Sequence, residues 1–119
     1  MKPQFLTELD VRAVPQGYRL LAPLTYYSAV LDKLITVPTG FVTDFASVPA
    51  PGRILISGHG HDRWAAVVHD YLYSEKKFTR KQADEVFLEA LELSGVNLVK
   101  RRIMYRAVRT GGWFFYAKD

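Results

Sequence analysis

Near residue 61 the apolar residues of this chain change their spacing, and that change constrains the fold more than any other feature. Before it, Lys33-Leu34-Ile35-Thr36-Val37-Pro38 alternates with the period of two that suits a strand. Residues 17–21 and 25–31 are rich in aromatic and branched side chains, with Pro23 breaking them apart. After residue 61, Trp64, Val67, Val68, Tyr71 and Leu72 recur at spacings of three and four, the mark of a helix with one apolar stripe. A chain that switches period once, and does not alternate strand with helix, belongs to the α+β class. The expectation is a small N-terminal antiparallel sheet packed against about three C-terminal helices.

The helical half carries its own punctuation. Thr79-Arg80-Lys81-Gln82 reads as a capping box, Thr79 receiving amide protons while Gln82 reaches back. It opens a helix whose core stripe is Ala83, Val86, Phe87, Ala90, Leu91 and Ser94, and Gly95 stands where a left-handed residue ends it. A third helix over 98–109 is expected to pack Val99, Ile103, Ala107 and Val108 and to stop at Gly111-Gly112. Residues 41–60 hold several prolines and glycines and read as loop, with a helical turn or short strand at 53–56. The closing Trp113-Phe114-Phe115-Tyr116 is too aromatic for a free tail and should return to the core or add a strand.

The 119 residues fit one domain, 1–119, with 49% apolar and 24% charged residues, so a core can form without covalent staples. There is no cysteine, which excludes disulfides, thiolate metal sites and cysteine nucleophiles. Neither a signal-peptide stretch nor a run long enough to span a bilayer is present, so the expected product is soluble and made in the cytoplasm.

Chemistry is expected where polar residues interrupt apolar runs. In Gly40-Phe41-Val42-Thr43-Asp44-Phe45-Ala46-Ser47-Val48-Pro49, Asp44 and Ser47 follow a strand and can fix a ligand or a base, or simply cap backbone amides. On the first helix His69 and Asp70 are adjacent, beside the apolar stripe, and Tyr73 continues the line of Asp62 and His69. A divalent metal such as zinc, held by Asp44, His69 and Asp70, is one use of that set; a buried histidine bonded to a carboxylate is the plainer one. Arg80 and Asp84 are four apart, and Asp84 borders the core stripe facing the first helix. His59 or His61 would complete a metal site, or be loop histidines in solvent.

Net charge is +4 with a pI near 9.4, and Lys100, Arg101, Arg102, Arg106 and Arg109 crowd one stretch. Arg101 and Arg102 are candidate binding residues for phosphate or an acidic partner; cations near a helix C-terminus also suit its dipole. No recognised nucleic-acid motif accompanies them, so nucleic acid is not the expected partner.

The order of the Gly40–Pro49 segment, Ala66-Val67-Val68-His69-Asp70-Tyr71-Leu72-Tyr73, Thr79-Arg80-Lys81-Gln82-Ala83-Asp84-Glu85-Val86-Phe87, Gly95-Val96 and Met104-Tyr105-Arg106-Ala107-Val108-Arg109 resembles a family of small proteins from tailed bacteriophages and prophages. That family is number thirteen fifty-three among the domains of unknown function, and the likeness spans about positions 30 to 112. It implies a phage or prophage origin, synthesis in the host bacterial cytoplasm and a polar set of Asp44, Ser47, His69, Asp70, Arg80 and Asp84 acting together. Three uses follow. In a metal-dependent hydrolase of peptidoglycan, Asp44, His69 and Asp70 hold the ion and Asp84 moves the proton. In a virion component of the tail or head–tail region, the same residues brace sheet to helices. The third use is a protein that binds and disarms a host factor. The Val68-His69-Asp70 stretch also resembles the His-Asp helix of HD phosphohydrolases, but a sheet-like first half departs from their all-helical fold.

Overall fold

The computed structural model describes residues 1–45, 47–56, 60–113 and 116. Within them the order is β1 Gln4–Phe5, β2 Val11–Val14, β3 Gly17–Leu20, β4 Leu24–Ser28, β5 Lys33–Val37 and β6 Val42–Thr43. A 3₁₀ turn at Arg53–Leu55 then leads to α1 Asp62–Glu75, α2 Arg80–Leu93 and α3 Leu98–Gly111. The α+β reading holds.

The expected single sheet is two. β1, β4 and β5 form one, in that order, and β2, β3 and β6 form the other, all neighbours antiparallel. β1, β2 and β6 escape a pattern reading because strands of two to four residues show too little alternation to register. The β4–β5 pair carries the core face: Leu24 opposes Val37 and Tyr26 opposes Ile35, all four buried.

On α1, Val67, Val68 and Leu72 are buried as the stripe requires, and Ala65, Ala66, His69 and Tyr73 join them, so the helix is covered on most of its circumference. α2 opens with the capping box: Gln82 N–H donates to the Thr79 hydroxyl and Thr79 N–H to the Gln82 side chain. Gly95 closes it at φ 79°, while Val96 N–H reaches back to the Leu91 carbonyl, the six-residue closure of a Schellman turn.

The packing face of α3 differs from expectation. Met104, Ala107 and Val108 are buried, whereas Val99 is 69% exposed and Ile103 faces outward beside it. Positions 99 and 103 belong to a stripe of their own, turned away from the 104–108 stripe by the helical step of about 100° per residue. Tyr116 returns to the core in a helical conformation: its ring meets Tyr73 edge-on at 5.3 Å and its hydroxyl donates to the Phe78 carbonyl at 2.8 Å. Phe114 and Phe115 lie outside the described residues. No helix among the described residues is long and apolar enough to cross a membrane.

Candidate functional site

The polar residues of α1 and α2 meet inside the molecule. His69 is completely buried in the middle of α1, between the rings of Tyr73 at 4.2 Å and Phe87 at 4.8 Å. Its Nε2 lies 2.7 Å from Asp84 Oδ1 on α2, and its Nδ1 lies 2.9 Å from Ser47 Oγ in the loop after β6.

Asp84, also fully buried, gathers all three helices. From α1 it accepts His69 and the Tyr73 hydroxyl at 2.6 Å; from α3 it accepts Arg109 Nη1 at 2.7 Å; Arg80, one turn back on α2, stands 3.7 Å away. Arg80 spends its donors elsewhere, on the Val108 and Arg109 carbonyls at 2.9 and 3.0 Å, in the last turn of α3. The exposed salt bridge that i,i+4 spacing suggests is thus a partly buried clasp between α2 and α3.

Asp70 closes the other end. One oxygen of its carboxyl receives the Thr43 hydroxyl and Phe45 N–H; the other receives the Ser47 amide and meets the Ser47 hydroxyl oxygen. For the chain to wrap the carboxylate so closely, Phe45 adopts a left-handed backbone, φ 62°, unusual for a large side chain. Its ring leans on Tyr18 of β3 at 5.8 Å.

Protons can be counted along this row. Burial keeps His69 from charging and lowers its pKa, although Asp84 pulls the other way. Burial works to raise Asp84, but bonds from His69, Tyr73 and Arg109 outweigh it and hold the carboxyl below the usual range. With Asp84 ionised and His69 neutral, Nε2–H donates to Asp84 and Nδ1 accepts the Ser47 hydroxyl proton. Ser47 Oγ then faces Asp70 with no proton left to give. Burial, helped by the nearby charge of Asp44 and opposed by Thr43 and the loop amides, pushes Asp70 up to about 7. Its carboxyl can supply the missing proton. Moving that proton through Ser47 to His69 gives the alternative pattern at the same count, an imidazolium between two carboxylates.

Val42 is exposed, Thr43 buried and Asp44 exposed, so the alternation of β6 turns Thr43 inward and Asp44 out, and the charge of Asp44 acts on Asp70. Thr43, not Asp44, is the inward polar residue of this strand. A proposed ligand set of Asp44, His69 and Asp70 meets donors whose lone pairs are engaged: both His69 nitrogens and both Asp70 oxygens have partners. Among the described residues no group of three or more His, Cys, Asp or Glu is placed to hold a metal ion. The donors as arranged do not fit one. His59 lies outside the described residues, and the His61 ring stacks on Trp64 at 4.2 Å.

On α3, Arg101 donates to the Val96 carbonyl at 3.1 Å and so secures the α2–α3 turn, while Lys100, 3.7 Å from the buried Asp62, ties α3 to the start of α1. Arg102 and Arg106 are exposed. Arg109 belongs to the buried network, which its place in a run of cations conceals.

The pattern of residues finds a counterpart among known families. Residues 18–108, more than half of the chain, match the family described as Protein of unknown function (DUF1353). The chain belongs to this family. The match runs from β3 to the last turn of α3 and so takes in every member of the network, Arg109 excepted by one position. No curated protein and no solved structure matches.

Proposed function

We propose that this chain is a small bacteriophage- or prophage-encoded component of the virion or of its assembly, non-enzymatic, in which the buried polar row braces the sheets against the helices. The observation carrying this reading is that each member of the row is occupied by another part of the same chain. Ser47, His69, Asp70 and Asp84 are all buried, and their acceptors face Thr43, Phe45, Tyr73 and Arg109. A binding or catalytic site keeps some of its polar groups free for its ligand; a brace uses all of them. The motif likeness to proteins of tailed phages and prophages supports the origin and, with it, particle proteins or the bacterial cell wall as partners.

A hydrolase of peptidoglycan is the second reading. What favours it is the row hydroxyl–imidazole–carboxylate of Ser47, His69 and Asp84, the order that activates a serine. It requires Ser47 to be uncovered and the Asp70 bond to be given up.

The test joins three measurements. Elemental analysis of purified protein, thermal melts of His69→Ala and Asp44→Ala, and turnover of isolated peptidoglycan separate brace from enzyme. The brace reading expects no stoichiometric metal, a large fall in Tm for His69→Ala, little for Asp44→Ala, and no turnover. Metal in the wild type that is lost from both variants, or turnover abolished by Ser47→Ala, would overturn it. Mass spectrometry of purified particles tests the virion assignment: the chain should be found in them.

A further inference from the structure

Two helices present outward stripes that match each other in shape and oppose each other in charge. On α2, Glu85, Leu88, Glu89 and Glu92 follow one another at i, i+3, i+4 and i+7. With Leu93, Val30 and Pro3 they line an open groove of about 480 Å³. Its wall is held in place from beneath: Glu89 accepts the Tyr26 hydroxyl at 2.8 Å and the Val30 amide at 3.0 Å. On α3, Val99, Arg102, Ile103 and Arg106 have the same spacing and face away from the core. Among the described residues, Glu85, Glu92, Arg102 and Arg106 have no ion-pair partner within the chain.

The geometry points to head-to-tail self-association, the α3 stripe of one copy lying in the α2 groove of the next. The occupant is a second copy because the chain itself carries the complement. Val99 and Ile103 would fill the apolar floor made by Leu88, Leu93 and Val30, while Arg102 and Arg106 would meet Glu85 and Glu92 on the rim. Since the two surfaces are different patches, the contact is heterologous and builds a ring or a filament rather than a closed two-fold dimer. The biological meaning rests on the assembly reading above; the contact itself does not.

Sedimentation velocity at low salt tests it. The wild type should rise above the 13.6 kDa monomer with concentration, and should fall back at about 0.5 M salt, where screening is short-ranged. R102E/R106E and E85R/E92R, all surface changes with melts expected near wild type, should each stay monomeric. Mixed in equal amounts, they should assemble again as the wild type does, because the native stripe of one variant meets the native groove of the other and the two reversed surfaces also oppose each other in charge. A wild type that stays monomeric at low salt would overturn the inference, as would two variants that still assemble or a mixture that does not recover. Loss in the basic variant alone, with nucleic acid co-purifying in the wild type, would overturn it in favour of a nucleic-acid occupant. A monomer found in purified particles would end this inference and leave the assembly reading standing; self-association by a chain absent from particles would do the reverse.

Discussion

His69 Nε2 lies 2.7 Å from Asp84 Oδ1 while Nδ1 lies 2.9 Å from Ser47 Oγ, so a single imidazole joins α1 to α2 on one side and to the β6 loop on the other. Removing the acid should therefore hurt more than one contact. Asp84→Ala leaves His69, the Tyr73 hydroxyl and Arg109 without their acceptor in a buried place, and should cost about 3–5 kcal/mol in urea unfolding. Asp84→Asn keeps the volume and one acceptor oxygen, and should cost less. Equal losses for the two would mean that charge, not shape, is what matters there.

The pH dependence follows from three groups. Asp70, raised in the fold, contributes stability that is fully present below its unfolded value of 3.8 and is lost as pH rises through about 7. His69 is lowered in the fold, so stability falls as pH drops below 6.5, where the unfolded chain takes up the proton that the buried ring resists. Asp84 is also lowered, and its contribution, present above 3.8, is lost in acid. The Asp70 and His69 slopes oppose each other just below 6.5, and from there up to about 7 only Asp70 acts. Chemical denaturation should show the wild type weakening as pH rises from 6.5 to about 7, by at most about 1.4 kcal/mol per pH unit, and levelling off above. Asp70→Asn should abolish that weakening and expose the His69 slope beneath it.

Arg80 tests the clasp. Its fork spans the Val108 and Arg109 carbonyls, a geometry that lysine cannot copy. Arg80→Lys should recover little of the roughly 2 kcal/mol lost in Arg80→Ala. Hydrogen exchange should locate the loss in the last turn of α3.

Gly112 is a site of contact rather than of backbone freedom. A Cβ placed there would stand 2.5 Å from both the Tyr73 hydroxyl and the Val108 carbonyl. Gly112→Ala should push Tyr73 off Asp84 and cost about 1–3 kcal/mol. Combined with Tyr73→Phe it should cost much less than the sum of the two, since the hydroxyl is then already gone.

Much of this was legible in the residues, and the gaps have physical causes. The capping box at Thr79, the left-handed Gly95 and the α2 stripe are local signals, and local signals survive folding unchanged. His69, Asp70 and Asp84 drew notice as polar groups on or beside apolar stripes, and the fold links them through Ser47. Asp44 misled because a charge beside a strand end attracts attention, while the strand's alternation, two residues long, is too brief to show that Thr43 turns inward. Arg109 was hidden for a different reason. Five cations within ten residues look alike in sequence, and only the rotation of α3 about Met104 and Val108 picks out the one that reaches Asp84.

Because one carboxylate on α2 is grasped from α1, from its own helix and from α3, the helical half has no natural breakpoint. A fragment ending near residue 97 would strip Arg109 from Asp84 and leave Arg80 with no carbonyls to hold. What stayed behind would keep that charge at its centre without its nearest cation, and the α1–α2 hairpin would not stand as an independent piece. Attempts to trim the chain to a minimal unit should stop short of α3.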